Sequence, residues 1–307
     1  MRDVVAVLDE AGFTAQTTTA RGLGTVAVRP CLGVVVSYAV AGSVRALRRR
    51  CGTVWLDAVD SWLLVDRSGL RAGHPLYAAR VLRDAATLAT MPRPDLVTWI
   101  SAADRAEDRG TVRGRRRLVL PGRPDAPVLQ PSTAPAGRLL MAGDWSYAPN
   151  RDGLAWFVDL CLPLLEDILQ GVDWSIVLHG PHAPALPWRF RNAGYVADES
   201  ELYQVGDVHL APVAHGAGVK RKVLSPLLAG LPVVTTPAGA HGLKKHPLLD
   251  VAAEPAVFAA LTAARLRGRA GVAQPPPAGA VVDADDSEAV LAWLASVADR
   301  CPCGGSR

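Results

Sequence analysis

Residues 207–243 read DVHLAPVAHGAGVKRKVLSPLLAGLPVVTTPAGAHGL, and the fold is decided here. Val208–Val213 alternates and then runs apolar, as a short buried strand does, and ends in Ala214-His215-Gly216-Ala217-Gly218. That loop has almost no side chains to keep a ligand away from the backbone. Lys220, Arg221 and Lys222 follow on what should be the first turn of a helix, where N–H groups without intrahelical partners and the helix dipole favour an anion. A second strand, Pro232–Thr236, leads into another glycine turn, Gly239-Ala240-His241-Gly242. Two strand ends thus bring small-residue loops to one crevice, the arrangement of a doubly wound parallel sheet. No Asp or Glu stands between Asp207 and Asp250, whereas Lys220, Arg221, Lys222, Lys244, Lys245 and four of the seven histidines do. The local field is positive, and the stretch reads as a phosphate-binding site. It is not a Walker loop, because GxxxxGK[ST] is absent. Nor is it the dinucleotide fingerprint, since the third glycine of GxGxxG falls on Arg221.

The segment GAGVKRKVLSPLLAGLPVVTTPAGAHGL resembles the donor-binding segment of family 4-type glycosyltransferases with the GT-B fold, written roughly GxGx[RK]xKxLEAxAxGxPVVxTxxGxxG. Upstream, LLMAGDWSYAPNRDGLAWFV resembles the strand, loop and helix that open that family's donor domain, and NAGYVADESELYQVGDVHLAP resembles its G-x-V-x-D-x-x-x-x-Y segment. The resemblance implies two Rossmann-like parallel-sheet domains facing a cleft, with the first domain shortened at its amino end. It also implies that Lys220 and Lys222 hold the diphosphate of a nucleotide-sugar donor, with the amides of Gly216, Ala217 and Gly218 beside them. Gly143, Gly239 and Gly242 are further places for backbone to approach the donor, and Gly180 and Val196 fall near the base. Where the family carries a Glu that contacts ribose hydroxyls, this chain has Ser225, which lacks a carboxylate's two-oxygen grip. Pro226 follows it, so a helix starting near Val219 is expected to kink or restart there.

At 307 residues, 50% of them apolar and 20% charged, the chain has the size and composition of a two-domain α/β protein. Its net charge of +4 is too small for a nucleic-acid binder by charge alone. The five cysteines show no even framework, and only Cys301-Pro302-Cys303 pairs in sequence, beside a Gly-rich tail. A reducing cytoplasm is the compartment this usage fits. The longest apolar run, Leu32–Val44, is too short to span a bilayer. The basic run Arg45–Arg50 is first a solvated helix face and second a peripheral membrane contact.

Along the chain, Arg2–Gly12 reads as an amphipathic helix that stops at its glycine. Thr14–Thr19, Thr25–Val28, Leu32–Tyr38, Thr53–Asp57, Asp95–Ser101 and Leu118–Leu120 read as strands, with helices after Tyr38 and over Pro75–Thr90. Strand and helix alternating imply a parallel sheet covered on both faces. Asp60 is the candidate contact to acceptor or sugar hydroxyls, with a helix cap as the alternative reading. Pro121–Pro135 reads as a linker, giving domains 1–130 and 136–285 and a terminal segment 286–307. In the second domain Arg138–Ala142, Trp174–Gly180 and Gly194–Val196 are further strands, Asn150 caps a helix over Arg151–Leu165, and Glu201–Val205 is helical. Ser287–Val297 is the terminal helix, with Asp283, Asp285 and Asp286 as its N-terminal charge.

Breaking the anomeric C–O bond of a nucleotide sugar puts negative charge on the leaving phosphate. Fixed cations and backbone donors are the groups that stabilise it. Lys222, Lys220 and Asp60 are the catalytic candidates. No cofactor or metal is expected, because no DxD run stands near the loop and the histidines lack the spacing of a zinc site. The expected activity is metal-independent transfer, with retention, to a small or lipid-linked acceptor. A degenerate helper subunit of the same fold is the alternative, and a nucleotide-sugar epimerase a third. Alanine- and arginine-rich usage points to a bacterial source.

Overall fold

The computed structural model describes residues 2–17, 30–37, 43–122, 124–132, 137–268 and 275–301. It divides into two compact units, one of Met1–Arg123 with Val282–Arg307 and the other of Pro124–Val281. The first contains α1 (Arg2–Glu10), β1 (Leu32–Val36), α2 (Ser43–Arg48), β2 (Thr53–Val59), α3 (Trp62–Arg71), α4 (Leu76–Thr90), β3 (Leu96–Trp99), α5 (Ala102–Glu107) and β4 (Arg116–Val119). Its strands pair in chain order and all parallel. Residues 13–17 have no regular structure, and Thr25–Val28, Tyr38 and the Pro302–Arg307 tail lie outside the described residues.

The second unit contains β5 (Gly137–Ala142), α6 (Ala148–Trp156), a π-type segment over Phe157–Cys161, α7 (Leu162–Ile168), β6 (Trp174–His179), β7 (Phe190–Gly194), β8 (Val208–Ala211), α8 (Arg221–Leu228), β9 (Val233–Thr235), β10 (Leu249–Val251), α9 (Pro255–Arg267) and α10 (Ala278–Val281). The six strands run parallel in the order β10-β9-β8-β5-β6-β7. The order reverses between β5 and β8, so the loops leaving those two strands part at a crevice. After α10 the chain returns to the first unit as α11 (Ser287–Ala298).

Along the inner strands alternate residues are buried on both faces of each sheet. In the first, Val54, Leu56 and Val97 pack with Val44 and Leu47, while Trp55 and Leu96 face Val4, Leu8, Val290, Trp293 and Leu294. Trp55 and Trp293 meet edge to face at 6.4 Å. In the second, Leu139, Met141, Ile176 and Leu178 meet Phe157, Leu165 and Phe258, while Leu140 and Val177 meet Tyr203 and Leu231. Arg138 at the start of β5 forks onto Asp207 just before β8, at 2.7 and 2.8 Å, and also donates to the Leu202 carbonyl at 2.6 Å. Both ends of that pair are buried, so removing one strands a charge.

Several local expectations are corrected. The helix does not restart at Pro226: α8 begins at Arg221 and runs through it, and the Lys222 carbonyl loses the N–H that would have closed its turn. The strand expected at Gly194–Val196 is β7, ending at Gly194, and the helix expected at Glu201–Val205 is a 3-10 turn over Glu199–Glu201. The terminal acidic run does more than charge the start of α11, where Asp286 is the N-cap residue and Asp285 accepts from Ser287 N–H at 3.0 Å. Asp283 accepts from the Ala102 and Ala103 N–H groups at 2.8 and 3.0 Å, and Asp286 accepts from Val119 N–H at 2.8 Å and Arg105 at 3.2 Å. They tie the returning segment to α5 and β4. Nor are the cysteines all free: Cys31 and Cys301 form a disulfide across 270 residues, and among the described residues Cys51 and Cys161 are buried thiols. A separation that long leaves no spacing signal in a sequence.

Candidate functional site

The residues singled out in the second unit gather at the carboxyl ends of β5, β6, β8 and β9. Gly143 follows β5 and Gly180 follows β6, and the two turns touch. A Cβ at Gly180 would fall 1.9 Å from the Gly143 carbonyl oxygen, and its φ of +119° admits only glycine comfortably. Trp145 clamps the same corner, its backbone N–H donating to the Pro181 carbonyl and its indole N–H to the His179 carbonyl. Val196, two residues past β7, packs on the cluster of Leu140, Val177 and Tyr203.

After β8 the loop turns on Gly216 and Gly218, with φ of +125° and +75°. Lys220 is the N-cap of α8, and its ammonium folds back on this loop, donating to the Ala217 carbonyl at 2.5 Å and the Gly218 carbonyl at 2.8 Å. Lys222, two residues on in the first turn of α8, donates to the Asn150 amide oxygen. A Cβ at Gly143 would lie 2.9 Å from Asn150 Nδ2 and 3.4 Å from Lys222 Nζ, so the lysine sits against the turn that ends β5. The glycine loop thus meets the Lys220 ammonium, and the β5 turn meets that of Lys222.

Burial is the main force on that ammonium. It pushes the Lys222 pKa down to about 8, with the Lys220 charge adding to the effect. Beneath it on β8, His209 is completely buried and pushed down to about 3, first by burial and then by the Lys222 charge. It is therefore neutral at physiological pH and adds no charge of its own. His215, on the glycine loop, is buried with Nε2 3.5 Å from the Asp152 carboxylate.

The second glycine turn is structural in its first half. A Cβ at Gly239 would meet Thr235 Oγ1 at 2.0 Å, and Gly239 N–H donates to Thr236 Oγ1, which in turn donates to the Val213 carbonyl at 2.6 Å. Gly242 closes the turn at φ +76°. Ser225 does not present its hydroxyl to the crevice. It is fully buried on α8, and among the described residues that oxygen has no hydrogen-bond partner. Asp60 belongs to the first unit, half-buried after Val59, whose φ is +63°. The cap of α3 is its neighbour Ser61, which accepts from Leu64 N–H at 3.2 Å.

Two residues escaped the sequence reading. Asn150 is not an N-cap: α6 begins two residues earlier, at Ala148, with Pro149 in its first turn, and Asn150 uses its amide to bridge Lys222 and the Asp144 carbonyl. Gly153 lies against the Pro212 carbonyl, where a Cβ would stand 1.4 Å from the oxygen. A glycine inside a helical run next to an Asn-Arg-Asp turn was the available signal.

Residues 136–265 match the family model described as glycosyl transferases group 1. No curated protein matches the chain. Among solved structures, sucrose-phosphate synthase from Thermosynechococcus elongatus is similar at TM-score 0.55 and 15% identity, over 87% of this chain and 66% of that one. This chain thus spans just under two thirds of that synthase. Anabaena HepE in complex with UDP and glucose is similar at TM-score 0.54 and 14% identity, over 96% of this chain and 78% of that one. A UDP-forming α,α-trehalose-phosphate synthase from Burkholderia xenovorans is similar at 0.52 and 10%, over 91% and 73%. These likenesses establish the GT-B fold, with two parallel-sheet α/β domains.

Proposed function

We propose that this chain, a GT-B glycosyltransferase whose residues 136–265 carry the group 1 domain, transfers a sugar from a nucleoside-diphosphate sugar to an acceptor. The observation that carries the reading is the half-buried Lys222, whose ammonium is held by Asn150 against the Gly143 turn at the β5/β8 crevice. As the glycosyl bond breaks, the leaving diphosphate gathers charge. Lys222, the N–H groups of α8's first turn and the glycine-loop amides would stabilise it in a water-poor setting. Lys220 braces the loop carbonyls and adds to the positive field. The similar HepE structure holds UDP and glucose, which makes UDP the first nucleotide to try.

On this reading the two lysines take the part that a divalent cation plays elsewhere, so transfer proceeds without a metal or cofactor and with retention at the anomeric carbon. A small-molecule or lipid-linked acceptor meets the first unit, with Asp60 as a hydroxyl contact. Among the described residues no helix is long and apolar enough to cross a membrane. The cytoplasm remains our proposed location, and the Cys31–Cys301 bridge is the observation against it. Thiol trapping in intact source cells decides between them.

Incubation with a panel of nucleotide sugars and candidate acceptors, following diphosphate release and product stereochemistry with and without chelator, tests the whole reading. We expect release that Lys222→Ala lowers by about a hundredfold or more while the circular dichroism stays unchanged. No release with any donor, or undiminished release from the variant, overturns it. One observation favours a helper subunit instead: Ser225 replaces the family's carboxylate and is fully buried. Donor binding without turnover would be the mark of that second reading.

A further inference from the structure

We infer that Asn150 is the positioning residue that sets Lys222 against the Gly143 turn, and that its neutrality leaves the ammonium's charge for the donor's diphosphate. This rests on the donor reading above. Asn150 is almost wholly buried and uses both ends of its amide: Oδ1 accepts from Lys222 Nζ, and Nδ2 donates to the Asp144 carbonyl at 2.8 Å. The residue is itself held in place. Its backbone N–H donates to the Tyr147 carbonyl at 3.0 Å, and the preceding Pro149 carbonyl accepts from Ala214 N–H at 3.1 Å. One side chain thus joins the β5 turn and α6 to α8, while the adjacent Pro149 carbonyl joins α6 to the glycine loop.

The choice of an amide has a consequence for charge. A carboxylate in the same place would hold the lysine equally well but would cancel the positive charge and repel an incoming diphosphate. The surrounding groups leave the amide as the ammonium's recorded partner. Lys220 stands at the cap of the same helix, and His209 faces it from β8. Nearby acids are occupied elsewhere: Asp144 accepts from Ser146 and faces His182, Asp152 lies beside His215, and Glu199 pairs with Arg221 at 2.8 Å. Against Asn150 the buried ammonium titrates near pH 8 rather than at the usual 10.5.

The test follows the Lys222 side-chain resonance by NMR through a pH titration of the ligand-free protein, with UDP affinity measured by calorimetry over the same range. In Asn150→Asp, Lys222 should titrate well above pH 8, and UDP binding at pH 7 should weaken at least tenfold. In Asn150→Leu, which removes the acceptor at similar volume, the titration should move below pH 8 and the alkaline loss of UDP binding should move with it. Thermal melts confirm that each variant is folded, and the near-isosteric Asp variant suffices if the Leu variant is not. Titration at one common pH in wild type and variants overturns the inference, as does UDP affinity within twofold of wild type. If UDP binds none of the proteins but the Lys222 titration still follows residue 150, the donor reading fails while the positioning role stands.

Discussion

Both units are built on a parallel sheet, and they carry opposite chemistry at the carboxyl ends of their strands. In the first, the polar groups there are acids and hydroxyls that satisfy one another. Asp57 accepts from Thr98, which accepts from the Trp55 indole, and Asp108 accepts from Ser61 and the Trp99 indole. Asp104 takes the Ser61 N–H. In the second unit the same position holds glycines and two lysines, one buried against a single amide. A parallel sheet offers its strand ends as a site, and what occupies them decides whether that end is bound up for stability or kept for an anion. Carboxylates already surrounded by donors have nothing further to offer, whereas an ammonium held by a neutral group does.

The comparison can be broken in several places. The largest effect should come from Lys222→Ala, which we expect to lower turnover about 100- to 1,000-fold, the range for loss of one fixed charge-stabilising donor. Steady-state kinetics at matched fold stability measures it. Next, Asp207→Ala leaves Arg138 charged and buried under β5, and urea unfolding of the second unit should show a loss of about 3–5 kcal/mol. In the first unit, Cys301→Ser or reduction should cost about 2–5 kcal/mol by freeing the returning segment, read as a lower melting transition with UDP affinity unchanged. Asp108→Asn is smaller: only one oxygen remains for two donors, and the loss should be about 1–3 kcal/mol.

A pH series sharpens the same contrast. Lys222 titrates lower in the folded chain, at about 8, than the 10.5 of an unfolded lysine. Between those values the unfolded chain binds the extra proton, so this group makes stability rise with pH. The proposed donor binding needs the ammonium and should fall over the same interval. Melting temperature and UDP affinity moving in opposite directions between pH 8 and 10 is the expected pattern, and parallel movement would contradict it.

The glycine loops, the strands that end in them and the lysine pair were legible because each rests on local chemistry: apolar runs, residues without side chains, charge on a first turn. Asn150 was misplaced for an equally local reason, since an Asn before a helical run looks like a cap, and only the three-dimensional approach of α8 shows its second partner. The burial of Ser225 was not legible either. Its position in a motif says which face it occupies in relatives, but the burial of Val223 through Leu228 depends on packing around α8. The Arg138–Asp207 fork and the Cys31–Cys301 bridge span 69 and 270 residues, too far for any periodicity to register.

The first unit is assembled from both flanks of the second, and this bears on the order of events at the ribosome. Residues 124–281 emerge as one uninterrupted run with their sheet complete, whereas the flanking unit must wait for Asp283, Asp286, Trp293 and Cys301 to leave the exit tunnel. During synthesis the later-encoded half is thus the earlier to mature, and the nascent amino-terminal half is the one a chaperone would have to shelter.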